Sequence, residues 1–191
     1  MKFSDGTTLR LYRQTVEDFG LYAEKEMTES EFHKLKESAG AMSAKMRAVR
    51  IVAASSVSKR ELQKRLEAKG EDPTQAQAAV KWMSDLDLID DRRVAEQIVT
   101  RCISKGYGLS RAKQMLYEKR IPKNYWDEVL ADYPEQTDAI GQYLCQHLGE
   151  NPDPKCKKRV IDALIRRGHS YHSIRRAMEQ LSYDADNIPE D

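Results

Sequence analysis

Residues 58–70 read SKRELQKRLEAKG, residues 110–121 read SRAKQMLYEKRI, and residues 157–169 read KKRVIDALIRRGH. Set one above another, Leu62, Ala112 and Val160 fall in register, and so do Leu66, Leu116 and Leu164. Apolar residues four apart lie on one face of a helix. Gly70, Arg120 and Gly168 occupy the turn that follows, and the segments are offset by 50 and 48 residues. A match that takes in turn positions as well as apolar ones marks internal repetition.

Working outward, each segment leads into a second amphipathic stretch, headed by Ala76, Tyr125 and Ile174 and continued by Val80, Val129 and Ala177. Each is preceded by another helical stretch, over 41–54, 91–104 and 136–148. The pattern predicts an all-α chain of three tandem three-helix repeats, each built as helix, helix, turn, helix. The expected organisation is an N-terminal extension over 1–35, repeats over 36–88, 89–133 and 134–182, and an acidic tail over 183–191.

Local signals support the helix boundaries. Thr28 with Glu31 and Ser58 with Glu61 match capping boxes. Asp72-Pro73 and Asp153-Pro154 each supply an N-cap and a first-turn proline. Gly70 suits the left-handed residue after a helix end. In the extension, Asp5-Gly6 followed by the alternating run Thr8 to Tyr12 predicts a short β-hairpin.

Composition favours thin stacked units over one thick core. Of 191 residues, 33% are charged and only 7% aromatic, and the mean hydropathy is −0.74. No stretch approaches the roughly 20 apolar residues that cross a bilayer. Cys102, Cys145 and Cys156 are odd in number and irregularly spaced, which argues against a disulfide framework. Together these features predict a soluble, cytoplasmic protein.

The net charge of +1 conceals a basic body between acidic ends: −3 over residues 1–33, +8 over 34–181 and −4 over 182–191. Between Lys155 and Arg176 stand eight Lys/Arg against the single acid Asp162. With Val160, Ile161, Leu164 and Ile165 as the buried stripe, Lys155, Lys158, Arg159 and Arg166 fall on the other face. Arg167, Arg175 and Arg176 continue the cluster. Lys59, Arg60 and Lys64 form a weaker version in the first repeat. These ten are the candidate contacts to a polyanion or acidic partner.

Other constellations read as structure. Asp90 suits an N-cap and Asp91 a first-turn acid on the helix dipole. Cys145, Cys156, His169 and His172 lack the close Cys and His pairs of a zinc site, and Cys102 and Cys145 are expected in the core. Trp82, Tyr125 and Trp126 fall at packing positions. No catalytic residue, metal site or cofactor site is indicated.

The run Leu86-Asp87-Leu88-Ile89-Asp90-Asp91-Arg92-Arg93-Val94-Ala95 resembles a signature of the RecX family of recombination regulators. Further features occur in that family's order. Ser58-x-x-Glu61-Leu62 and Leu66-x3-Gly70 precede the signature, and Lys105-Gly106-Tyr107-Gly108 and Leu116-x2-Lys119-x-Ile121 follow it. Leu164-Ile165-Arg166-Arg167-Gly168-x-Ser170-Tyr171-x2-Ile174 closes the set. The resemblance covers about residues 41–181. Three positions depart from the usual pattern: Arg120 stands in place of Gly, Val94 in place of an aromatic, and His169 in place of Phe. The first is harmless only where the backbone avoids positive φ. The last places a titratable group in the packing of the third repeat.

The resemblance implies an elongated, curved, non-enzymatic monomer that lies in the groove of RecA–DNA filaments. It implies weak, non-specific contact with single- or double-stranded DNA, and control, usually inhibition, of recombination, DNA repair and the SOS response. The competing reading, a stand-alone helix-turn-helix DNA-binding protein, needs a recognition helix with base-reading side chains. The corresponding stretch of the first repeat, TQAQAAVKWM over 74–83, reads as buried instead.

Overall fold

A computed structural model of the chain describes residues 1–4, 6–149 and 152–181. The acidic tail over 183–191 and Asp5 of the Asp-Gly turn lie outside the described residues. Two compact units divide the chain, Met1–Asp90 and the residues from Asp91 onward.

In the first unit, α1 (Arg13–Asp18) precedes α2 (Glu29–Ala54), α3 (Lys59–Ala68) and α4 (Pro73–Asp85). The capping box at the start of α2 is complete: Thr28 Oγ1 accepts from the Glu31 amide, and the Glu31 carboxylate accepts from the Thr28 amide. Those bonds, the one to the backbone foremost, hold the Glu31 carboxyl below its usual range. Ser58 caps α3 through the Glu61 amide, and Asp72 caps α4 through the amides of Thr74 and Gln75. The α2 helix runs unbroken through residue 35 and lays Ala44, Ala48 and Ile51 against Leu62, Leu66, Ala76, Ala79, Val80 and Met83. A polar clasp closes one end of the trio. Glu71, nearly buried, takes an ion pair from Arg47 at 2.8 Å and a hydrogen bond from Ser43 at 2.9 Å.

The N-terminal hairpin does not form as strands. Among the described residues the pairing is one antiparallel bridge, Lys2 with Thr8, flanked by reciprocal backbone bonds between Met1 and Leu9. The reason is length. The chain turns into α1 directly after Tyr12, so the arm after the turn is cut to a few residues and pairs through one bridge.

The second unit holds two further trios. The first comprises α5 (Asp91–Ser104), α6 (Leu109–Glu118), and a 3₁₀ turn at Lys123–Tyr125 running into the short α7 (Trp126–Leu130). They enclose Val94, Ala95, Ile98, Cys102, Ala112, Leu116 and Ile121, with Tyr125, Trp126 and Val129 packed against them. The other comprises α8 (Thr137–His147), α9 (Pro154–Arg166) and α10 (Tyr171–Gln180) around Ile140, Leu144, Val160, Leu164, Ile174 and Met178. The positions in register between segments, Leu66, Leu116 and Leu164, are each fully buried. The turn positions also agree: Gly70, Arg120 and Gly168 all have positive φ, at 85°, 57° and 90°.

The condition set for Arg120 is not met, and the reading of Cys145 needs correction. Arg120 does not avoid the left-handed region, so its side chain carries a backbone cost that glycine would not. Cys145 is exposed, not core. The buried stripe of α8 runs through Ile140 and Leu144 to Leu148, and a residue one place beyond Leu144 is turned by about 100° away from it.

Candidate functional site

The α9 helix carries the densest positive charge because its two faces divide cleanly. Asp153 accepts from the Cys156 amide at 2.7 Å and Pro154 opens the first turn. From that start Val160, Ile161 and Leu164 turn inward, while Lys155, Lys158, Arg159 and Arg166 are exposed. These four of the expected contacts share one helix. Such a row can attract phosphates or carboxylates by charge, and long side chains can adapt to a partner's spacing.

The remaining candidates are placed differently. Arg167 is half-buried, with its guanidinium 4.7 Å from the centre of the Tyr143 ring and 6.0 Å from that of Tyr107. Its charge already faces two aromatic rings. Arg176 pairs with Glu135 at 3.0 Å, and Arg175 is half-buried. In the first unit Arg60 and Lys64 are exposed on α3, and Lys59 is half-buried.

Sequence reasoning missed the side chains that gather where the turn after α5 meets α8 and the end of α9. The Gly108 amide donates to the Arg167 carbonyl at 3.0 Å, and the Ser110 amide to the Gly168 carbonyl at 3.2 Å. Tyr133 donates its hydroxyl to the Tyr107 carbonyl at 2.6 Å, and burial pushes that phenol up to about 12. His169 is 6% exposed, with Nε2 3.1 Å from the Gly106 carbonyl. Burial holds this imidazole below its usual value; the bond to Gly106 pulls it back up and the charge of Arg167 pushes it further down. Tyr143 stacks on His147, with centroids 4.0 Å apart and planes 14° apart. The spacing of Tyr143 and His147, one helical turn apart, was the available signal. The partners of Arg167 had none, because Tyr107 is 60 residues away in sequence.

Four of the residues set aside as structural, Asp91, Trp82, Trp126 and Cys102, are buried or packed within the trios. Asp91 is buried in the first turn of α5. Trp82 packs against the first trio with the Lys45 ammonium 5.3 Å from its ring centre. Trp126 donates its indole N–H to the Ile121 carbonyl. Cys102 is fully buried, and burial pushes its thiol up, away from the reactive thiolate. Among the described residues, no group of three or more His, Cys, Asp or Glu could hold a metal ion, and no helix is long and apolar enough to cross a membrane.

Known proteins share this arrangement. The family described as "RecX, second three-helix domain" matches residues 90–130, the span of α5, α6 and α7. A regulatory protein RecX of Cronobacter sakazakii is 33% identical over 141 residues, covering 67% of this chain and 86% of that protein. The regulatory protein RecX of Chlorobium phaeobacteroides is 27% identical over 136 residues, covering 70% of this chain and 90% of its own. A crystal structure of regulatory protein RecX superposes with a TM-score of 0.67 at 17% identity, over 90% of this chain and 86% of that one. That last likeness speaks for the fold, while the Cronobacter relative carries the assignment: the chain belongs to the RecX family of regulatory proteins.

Proposed function

We propose that this chain binds RecA-type recombinase filaments on DNA and inhibits them, thereby restraining recombination, DNA repair and the SOS response. The single observation that carries the reading is the exposed row Lys155, Lys158, Arg159 and Arg166 on α9, opposite the buried Val160, Ile161 and Leu164. A filament on DNA is a dense polyanion with protein walls. A cationic helix face approaches it favourably, and each displaced counterion adds to the binding. Membership in a family of regulatory proteins supports a role exerted by binding, without chemistry of the chain's own.

The basic row lacks a feature that would make it read DNA sequence. Arg and Lys on phosphates set position and carry no base information. In the first trio, the helix that a stand-alone repressor would place in the groove turns Ala76, Ala79, Val80 and Met83 into the core. Weak, sequence-independent DNA contact therefore fits better than operator recognition.

The test is the hydrolysis of ATP by purified RecA on single-stranded DNA, with this protein titrated in. Inhibition that builds with dose and weakens as salt rises supports the proposal. Hydrolysis that continues unchanged at saturating protein refutes it.

A further inference from the structure

Within the second unit, the turn after α5, one side of α8 and the C-terminal cap of α9 border an open cavity of about 580 Å³. Its lining includes Lys105, Gln142, Tyr143, Gln146, His147 and Arg167. Three of these form a layered stack: the Arg167 guanidinium over the Tyr143 ring at 4.7 Å, and the Tyr143 ring on the His147 imidazole at 4.0 Å. His147 Nδ1 lies 2.9 Å from the Tyr143 carbonyl. A carbonyl only accepts, so that nitrogen carries the proton and the ring is held in place by both contacts. The imidazole is nevertheless exposed.

The stack is more than helix packing requires. His147 stands on the exposed side of the stack, whereas Tyr143 and Arg167 anchor the platform from beneath through the trio core and the Tyr107 ring. Gln142 and Gln146, also exposed, stand one turn apart on α8 and offer amide donors and acceptors. Lys105 is exposed on the adjoining turn. A flat π surface, amide groups beside it and an ammonium nearby are the elements that bind an unstacked base and its phosphate.

We propose that this cavity seats a nucleobase of single-stranded DNA, with His147 as the stacking platform, Gln142 and Gln146 toward the base edge, and Lys105 toward the backbone phosphate. A peptide carboxylate is a poorer match. It would use the cations alone, of which Arg167 already faces two rings, and would leave the His147 face and the amides of Gln142 and Gln146 unused. The site is separate from the basic row of α9 and does not depend on any recombinase being present.

Fluorescence anisotropy of the full chain, without recombinase, tests it with a labelled oligothymidylate and an abasic strand of equal length. His147→Ala should weaken oligothymidylate binding about tenfold and leave the abasic strand unaffected. His147→Phe, which restores a ring, should recover most of the loss. Photocrosslinking with 5-iododeoxyuridine should place the adduct on Tyr143 or His147. Equal affinity of wild type and His147→Ala for the oligothymidylate, equal losses on both strands, or adducts confined to other residues would overturn the proposal. So would a His147→Ala variant that loses recombinase inhibition while keeping full oligothymidylate affinity, which would give the cavity to a protein partner. None of these results touches the α9 row, so the two readings fail separately.

Discussion

The Gly108 amide donates to the Arg167 carbonyl at 3.0 Å, joining the turn before α6 to the turn before α10 backbone to backbone. The approach is closer than any side chain allows. A Cβ placed on Gly108 would stand 2.0 Å from the Gly168 carbonyl oxygen and 2.5 Å from the His169 amide. The two later trios are thus joined through their turns, and two glycines make the junction possible.

Gly108 has φ −75° and ψ 165°, a conformation open to any residue, so the cost of a side chain there is purely steric. Gly108→Ala should lower stability by roughly 2–3 kcal/mol, because the obstacle is backbone that cannot rotate away. Gly141→Ala, inside α8 with nothing within 4 Å of the new methyl, should gain up to about 1 kcal/mol. Urea denaturation of both variants checks the pair.

Arg120 is the opposite case. It holds φ 57° where the other two turns place glycine at 85° and 90°. Arg120→Gly should raise stability by about 0.5–1 kcal/mol, the relief of the left-handed backbone outweighing the extra entropy of the unfolded glycine. A midpoint equal to or below that of wild type in the same urea series would show that the arginine side chain contributes more than its backbone costs.

His169 predicts an acid sensitivity. Above 6.5, the ordinary imidazole value, it is neutral in both folded and unfolded chains. Between 6.5 and its lowered folded value, only the unfolded chain takes up the proton, so stability falls as pH falls. Thermal melts at pH 7.5 and 5.5 should show a larger acid-induced drop for wild type than for His169→Phe. The other histidines are common to both proteins, so the difference isolates this one. Equal drops would mean that the junction accepts the charged ring without loss.

The legible part of this fold was local. Thr28, Ser58, Asp72 and Asp153 announce helix starts because a cap needs only its own first turn. Leu66, Leu116 and Leu164 announce the core because burial repeats with the helix. What stayed hidden was set by distant partners or by competition. The ring partners of Arg167 lie 24 and 60 residues away, and no periodicity connects them. Arg176 looked available until α8 brought its leading segment near, with Glu135 at 3.0 Å. Cys145 sat among apolar letters, yet only one stripe of α8 is buried. The basic row of α9 was legible for the same reason as its core, since one face defines the other.

That row should govern the salt dependence of DNA binding. Replacing Lys155, Lys158, Arg159 and Arg166 by Gln should lower the slope of log affinity against log salt by up to about 3 on single-stranded DNA, if all four neutralise phosphates. Helical content should not change, because the four side chains are exposed.

The most direct measurement compares wild type and the Lys155→Glu, Lys158→Glu, Arg159→Glu, Arg166→Glu variant in one titration of RecA-catalysed ATP hydrolysis on single-stranded DNA. Circular dichroism and melting temperature should be matched beforehand. Binding through the α9 row makes wild type suppress hydrolysis and the equally folded variant do so only at much higher concentration. Superimposable curves would contradict it.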